Sequence, residues 1–371
     1  MQKTHKKDRV QPAPLDNIIH LAKDFIGIYS THDNKKGLED IIALAEKQLP
    51  EYTIQQFRAG NKPSILVHAA EPNTKKFKII LNAHLDVVPG KDGQFTPRVQ
   101  DDKLFGRGAY DMKAAAAVML LLFKEMAKQV KYPLALQLVT DEELVHGLGT
   151  YVQLQNGVKS EFAVIGECSS NLDIIFGSKG IFHATITTSG VTSHGAYPWN
   201  GKNAITKMHE VIGILQKHFP TPYTKTFETT INISQITTTN NIWNQTPDNC
   251  TITLDIRINH NEYGTILDKI TSLLPAGVLF EVVKTRSPHY TDPNNKYISL
   301  LANAVQQITE KEPRKRKTYG GSDATFFSEM QLNAIEFGPI GQYPHHDGEW
   351  VDINSLGNYY QILKQFLLSV Q

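Results

Sequence analysis

Cysteine is nearly missing from this 371-residue chain: only Cys168 and Cys250 occur, 82 positions apart. Two thiols cannot make a disulfide framework, so a small secreted scaffold stapled by bridges is excluded. A reducing, cytoplasmic setting with two buried, unpaired thiols is expected instead. Long hydrophobic runs are missing as well. The longest, residues 114–123, has ten residues, where a membrane span needs about 20. The basic start MQKTHKKDRVQPAP leads into no apolar stretch or small-residue cleavage site, so a signal peptide is not expected either. Charge of one sign is absent, with 38 Lys and Arg against 37 Asp and Glu and a net charge of +1. That balance gives no general attraction to nucleic acid or to an anionic membrane. The one basic tetrapeptide, residues 314–317, lacks interleaved aromatics and reads as a solvated edge rather than a nucleic-acid site.

What is present is 40% hydrophobic residue in a chain long enough for two or three domains with substantial cores. Strand-like runs alternate with helical patterns in the first half: strand 78–85 (KIILNAHL), helix 112–129, strand 134–140 (LALQLVT), a short helix after Asp141, and strand 162–166 (FAVIG). This order implies βαβ units around a mostly parallel sheet. From Gly180 the texture changes to alternating strands, IFHATITTSG and TITLDIRIN, with a helix predicted over 203–218 between them. Period-two alternation points to antiparallel strands with one wetted face. A turn-rich stretch, 284–293, then returns the chain to an α/β pattern with helix 296–308, strand 334–337 and helix 354–370. The organisation expected is one α/β domain, residues 1–178 and 290–371, interrupted by a smaller α+β domain, residues 179–289.

Several motifs carry chemistry. In HLDVVPG, His84 and Asp86 lie two apart on an extended segment and so face the same way, which lets the carboxylate orient the imidazole. In GRGAYDMKAAAA, Asp111 stands at a helix start, where capping is the plainer reading; the glycines do not continue into a dinucleotide fingerprint. TDEEL puts Asp141, Glu142 and Glu143 directly after a buried-looking strand, where open α/β sheets place their sites. Glu167 follows another short apolar strand, and His345, His346 and Glu349 occur in PHHDGEW. Each motif alone reads more readily as a loop or a cap. Together, His84, Asp111, Glu143, Glu167 and His345 fall at loop edges of one sheet, a mixed N/O donor set suited to zinc, with cobalt or manganese as substitutes. Two divalent cations against three carboxylates and a bridging hydroxide leave the cluster near neutral. Such a pair activates water and polarises a carbonyl, and Glu142 would be the general base; hydrolysis of an amide is the expected reaction.

HLDVVPG, GRGAYDMK, TDEE, GECSS and HHDGEWV, in this order with a long insertion after the fourth, resemble the dinuclear zinc family of aminoacylases, acetylornithine deacetylase, succinyl-diaminopimelate desuccinylase and glutamate carboxypeptidases. The resemblance spans about residues 15 to 370 and implies a zinc-exopeptidase-like catalytic domain with an inserted lid and dimerisation domain. It makes His84 and Glu167 ligands of one zinc, Glu143 and His345 ligands of the other, and Asp111 the bridge. Asp86 becomes the imidazole-orienting acid and Glu142 the general acid/base. The H-x-x-x-E spacing to Glu349 selects His345 over His346. His194 in GVTSHGAYP resembles the lid histidine that reaches across a homodimer to the partner's oxyanion. Arg257 resembles the arginine that clamps a substrate carboxylate, and Gly320, Gly321 and Ser322 the loop whose amides help to hold it. Asn241 resembles a lid asparagine near the oxyanion.

The departures from the family pattern are Cys168 where Pro is usual, Ala114 where Gly is usual, and a lid loop stretched to NIWNQTP. Cys168 so placed suggests an oxidation-sensitive site. The GGSDATFF and IEFGPI runs lean towards the desuccinylase side. The expectation is therefore a deacylase of a small N-acyl amino acid with a free carboxylate. A di- or tripeptidase or carboxypeptidase is the alternative, and an inactive metal-dependent binding protein a third reading.

Overall fold

Residues 13–144 and 147–371 are described by the computed structural model; the basic start of the chain, on which the signal-peptide expectation rests, lies for the most part outside them. The chain opens with helices α1 (Leu15–Ile26) and α2 (Lys35–Lys47). Strands β1 (Thr53–Ala59), β2 (Lys62–His68), β3 (Lys76–His84), β4 (Arg98–Gln100) and β5 (Lys103–Phe105) follow. Helix α3 (Ala114–Met126), β6 (Leu134–Val139), α4 (Gly149–Gln155), β7 (Lys159–Ile165) and β8 (Ile174–Ser178) come next. The middle supplies β9 (Gly180–Ser189), α5 (Ala204–His218), β10 (Thr230–Thr237), β11 (Asn249–Ile258), α6 (Ile266–Leu273) and β12 (Val278–Arg286). The remainder holds α7 (Lys296–Thr309), β13 (Lys315–Thr318), α8 (Ala324–Glu329), β14 (Asn333–Glu336), β15 (Gly341–Gln342), β16 (Trp350–Asp352) and α9 (Ile353–Ser369). These elements gather into two compact units. One takes the chain through Phe176, then Thr291–Lys317 and Ser322–Gln371; the other takes Gly177–Tyr290 and Thr318–Gly321.

An eight-stranded sheet in the order β1-β2-β6-β3-β7-β14-β8-β13 organises the larger unit. Its centre is parallel, β3 with β6 and β7, and β7 with β14, while β1–β2, β2–β6 and β8–β14 are antiparallel. Central parallel strands are covered on both faces, which is why LALQLV of β6 is buried at every residue. Side-chain alternation divides the cover. Ile79, Leu81 and Ala83 of β3 meet Phe25 of α1, Phe123 of α3, Leu301 of α7 and Phe366 of α9. Ile80 faces the other way, into a cluster with Leu154 and Phe327. Helix α3 is buried almost all round, as its AAAAVMLLLF run requires.

The smaller unit builds a four-stranded antiparallel sheet, β10-β11-β9-β12. Strands β9 and β11 alternate buried and half-buried residues along their whole length, the period-two signature read from the sequence. Helix α5 covers the apolar face through Ala204, Met208, Val211 and Leu215, and the Asn203 side chain caps it by accepting from the Ile205 and Thr206 amides.

Two boundaries depart from the sequence reading. The helix predicted from residue 112 starts at Ala114, because Asp111 (φ −116°, ψ 89°) and Met112 (φ −131°, ψ 30°) are not helical. The short helix expected after Asp141 starts only at Gly149, the chain turning first through Glu142 and Glu143; residues 145 and 146 lie outside the described set. Among the described residues, no helix is long and apolar enough to cross a membrane.

Candidate metal centre

The parallel strands end on one side of the sheet, where open α/β sheets collect functional loops. His84 is the last residue of β3, Asp141 to Glu143 follow β6, and Glu167 follows β7. The chain beyond β14 leads to His345, which adopts the left-handed φ of 63° that an L-residue takes up only under constraint. Asp111 comes from the irregular turn before α3. The second glycine of GRG, Gly108, opens that turn at φ +81°, and a Cβ there would lie 2.7 Å from Val87 Cγ1.

Five of the predicted side chains converge here. Asp111 turns its two oxygens to two different imidazoles: Oδ1 lies 3.2 Å from His84 Nε2 and Oδ2 lies 3.2 Å from His345 Nε2. Glu167 Oε1 is 3.4 Å from the same His84 nitrogen, and Glu143 Oε2 is 2.9 Å from that of His345. Glu142 joins the group, with one carboxylate oxygen within 4.8 Å of His84 and Glu167 ligand atoms. His84 Nδ1 donates to the Asp86 carbonyl at 3.1 Å, which fixes Nε2 as the nitrogen facing the carboxylates.

Donor atoms spaced in this way suit divalent metals. With metal–N and metal–O bonds of about 2.0–2.1 Å, the edge of a tetrahedron is roughly 3.3 Å, close to the separations seen. Each imidazole nitrogen otherwise confronts two carboxylate oxygens, an arrangement that needs a proton or a cation between them. Without metal, the pull goes to protons. Burial opposes charge on His84, yet Asp111, Glu167 and Asp86 raise it well above its usual range. Hydrogen bonds to Asp111 and Glu143 push His345 up to about 10. For Asp111, burial would favour the acid, but His345 and His84 hold it below the usual carboxylate range. Burial and the neighbouring Asp111 raise Glu167, against the opposing effect of His84.

Asp86 meets His84 through two groups: its backbone carbonyl accepts from Nδ1 at 3.1 Å, and its buried carboxylate lies 3.6 Å from the same nitrogen. The carboxylate also accepts the amides of Glu142 at 3.2 Å and Glu143 at 3.0 Å, fixing the loop that bears both acids. Cys168, beside Glu167, is half-buried, and its Sγ donates to the Tyr110 carbonyl at 3.5 Å; burial, with Asp111 and Glu167 nearby, pushes the thiol well above its usual range.

The remaining predicted residues fall elsewhere. His194, Asn241, Arg257, Gly320 and Gly321 belong to the smaller unit, and Ser322 to the larger. His194 Nδ1 accepts from the Ala196 amide at 3.1 Å, so a neutral ring carries its proton on Nε2. Asn244 Nδ2 stands 3.5 Å from Nε2 of that ring. Arg257 Nε pairs with Asp255 at 2.9 Å. The Ser322 hydroxyl is buried and donates to Glu336 at 2.7 Å, so at this position only the main chain can serve a ligand. In the basic tetrapeptide, Arg314 and Arg316 both pair with the buried Asp173 at 2.9 Å.

Sequence reasoning assigned no role to Arg107 or Lys113, although both stand in the GRGAYDMK motif. Lys113 is buried, donates to the Ile28 carbonyl at 2.9 Å, and is lowered to about 7 by that burial. A charged residue inside an apolar helix start was the available signal.

Comparison with known proteins gives the family. The model of peptidase family M20/M25/M40 matches residues 80–369. A succinyl-diaminopimelate desuccinylase of Pelagibacter ubique is 28% identical, over 95% of this chain and all of that protein. The aminopeptidase PepT of Bacillus cereus has the same fold at 16% identity, with a TM-score of 0.77 over 95% of this chain and 98% of that one. A Bacillus subtilis protein described as a dinuclear metal binding peptidase aligns with a TM-score of 0.68 at 14% identity, over 96% of this chain and 99% of that one. The chain belongs to peptidase family M20/M25/M40 and is a metal-dependent hydrolase.

Proposed function

We propose that this protein is a two-zinc deacylase of desuccinylase type, hydrolysing the amide of a small N-acyl amino acid that carries a free carboxylate. The observation that carries this reading is Asp111, whose two oxygens face two imidazoles from opposite ends of the sequence, with Glu142 in the same cluster. His84 and Glu167 would hold one metal, Glu143 and His345 the other, and Asp111 both. Two such cations supply Lewis acidity to the scissile carbonyl and to water. Nitrogen and oxygen donors favour zinc, with cobalt or manganese able to substitute.

The chain's own groups account for the rest. Glu142 accepts the proton of the attacking water on a carboxylate oxygen and delivers it to the leaving nitrogen, so the C–N bond breaks as an acid and an amine form. Asp86, through the amides of Glu142 and Glu143, keeps that carboxylate in register with its neighbour. In a homodimer, His194 would donate its Nε2 proton to the partner's developing oxyanion. Arg257, Asn241 and the amides of Gly320, Gly321 and Ser322 are the candidates for the substrate's own polar groups. The desuccinylase of Pelagibacter ubique supports the substrate class. The free thiols Cys168 and Cys250 support a cytoplasmic setting.

The test is turnover of N-succinyl, N-acetyl and dipeptide substrates by zinc-loaded and chelator-stripped protein, with metal content measured on the same samples. Zinc-dependent cleavage of N-succinyl amino acids is expected. Turnover of dipeptides alone would move the protein to the exopeptidase side of the family. Two bound metals with no amide cleaved would favour a binding role.

A further inference from the structure

Glu349 is 2% exposed and none of its bonds is to a candidate ligand side chain, yet its carboxylate is among the most heavily bonded in the larger unit. Oε2 accepts from Arg107 Nη1 at 2.9 Å and from the Gly108 amide at 3.0 Å. Oε1 accepts from the amides of Tyr110 at 2.9 Å and Asp111 at 3.0 Å. Three donors of one turn curl around a single carboxylate, a backbone nest filled by a side chain from about 240 residues further along the chain. The Gly106 amide donates to the Glu349 carbonyl at 3.3 Å, and the antiparallel pairing of Trp350 with Phe105 extends the join.

Arg107 carries the connection further. Nη2 donates to the His345 carbonyl at 3.2 Å and, more weakly, to the Pro89 carbonyl at 3.5 Å, and Nη1 reaches the His346 carbonyl at 3.4 Å. One guanidinium, carried by the turn that presents Asp111, therefore touches both the loop that follows His84 and the loop that presents His345. The planar fork suits this task, since its donors diverge at fixed angles and its charge is permanent.

We propose that Arg107 and Glu349 are positioning residues of the metal centre, a buried strut that sets the spacing between Asp111 and His345 and so completes the second metal position. This rests on the metal-centre reading above. The strut is fastened directly to the Asp111 amide and the His345 carbonyl, whereas its tie to the His84 side is a single long contact. The metal held by Glu143 and His345 should therefore depend on it more than the one held by His84 and Glu167, because Asp111 serves both positions whereas His345 serves only the second. In Glu349→Gln an NH2 group faces backbone donors on one side and leaves Arg107 without its counter-charge. Arg107→Lys keeps a positive charge but loses the fork that holds the His345 carbonyl.

The experiment is chelator competition for Zn2+ and Co2+ on wild type, Glu349→Gln and Arg107→Lys, with the thermal midpoint of each metal-free protein and the visible Co2+ spectrum recorded alongside. Wild type should take two metals per chain. Both variants should lose about 10–100-fold for the second, the usual scale for a group that orients a ligand, and less for the first, which shares only Asp111 with the strut. The Co2+ bands of the second site should change most, and kcat should fall while KM holds. If Glu349→Gln does not fold, Arg107→Lys carries the test. Folded variants that bind both metals as tightly as wild type would overturn the strut alone, as would loss of both metals only in step with unfolding. A wild type that binds fewer than two metals would overturn the metal-centre reading and the strut with it.

Discussion

The Asp111 cluster and the His194 loop use polar side chains in opposite ways. In the cluster, each group is held from several sides. Asp111 faces two imidazoles and gives its amide to Glu349, Asp86 pins two neighbouring amides, and His84 is locked by a carbonyl on one face and carboxylates on the other. The His194 loop is exposed and locally tied, through the Ala196 amide, the Gly195 amide donating to the Asn244 carbonyl at 2.7 Å, and the Tyr197 ring. Around it stand large apolar rings in solvent, with Trp199 75% and Trp243 fully exposed. Exposed aromatics gathered in this way are the kind of surface that a second copy could cover. The contrast is one of organisation: the cluster is preorganised within one chain, while His194 is presented outwards, as its proposed role towards a second copy requires.

The largest effect expected is on the preorganised side. Glu142→Gln should cut kcat by about 10²–10⁴-fold with metal content unchanged. A variant that lost its metals in parallel would show that Glu142 holds metal rather than moves a proton. His194→Ala should cost about 10²–10³-fold in kcat, the scale of one oxyanion donor. Mixing it with Glu142→Gln sharpens the comparison, because a mixed dimer would pair an intact Glu142 with an intact His194 at one of its sites. Activity should reappear after subunit exchange; two inactive proteins that stay inactive together would place His194 in its own chain's site.

Histidine itself supplies a further contrast. Carboxylates raise His345 to about 10, so metal uptake at neutral pH should release protons from His345 and from His84, whose value is raised too. Calorimetry in buffers of different ionisation heat reads that number, and zero release would contradict the cluster's electrostatics. In the smaller unit the buried His289 goes the other way, lowered to about 3 by burial. Its neutral form is kept in the fold while the unfolded chain takes up a proton below about 6.5, so stability should fall as pH drops from there towards 3. Replacing His289 with Gln should flatten the slope of unfolding free energy in that window by up to about 1.4 kcal/mol per pH unit; an unchanged slope would remove His289 as the cause. The smallest effect is at Trp199→Ser, which should change stability by less than about 0.5 kcal/mol. Sedimentation of this variant should nevertheless show weaker self-association if that surface serves the dimer.

Much of the fold is legible in the order of residues alone. The buried runs KIILNAHL and LALQLVT announce parallel strands because central strands are covered on both faces and run nearly continuously apolar; their buried polar residues Asn82 and Gln137 hydrogen-bond to each other at 2.9 Å. IFHATITTSG and TITLDIRIN announce one-faced strands by their alternation. Helices α1 and α2 and the hairpin β1–β2 escape that reading. TIQQFRA, on the edge of the sheet, is half-wetted and mixes polar with apolar residues without a clean period. Likewise, the acids and histidines of the metal centre can be picked out as residue types following buried strands, since a strand's end fixes where its loop emerges.

What the sequence by itself determined was therefore an inventory: the central strands and the helices between them, which donor atoms exist, and on which side of the sheet they gather. Local periodicity and burial are properties of neighbours in the chain, and they survive in one dimension. Only the tertiary structure decided how the donors are aimed. The Asp86 carboxylate, beside His84, also takes the amides of Glu142 and Glu143, and the Asn244 side chain stands beside the His194 ring. Glu349 fills a nest of amides from a turn that precedes it by about 240 positions. Hydrogen-bond geometry depends on ångström distances and directions between segments remote in sequence, and those are set by packing rather than by order along the chain.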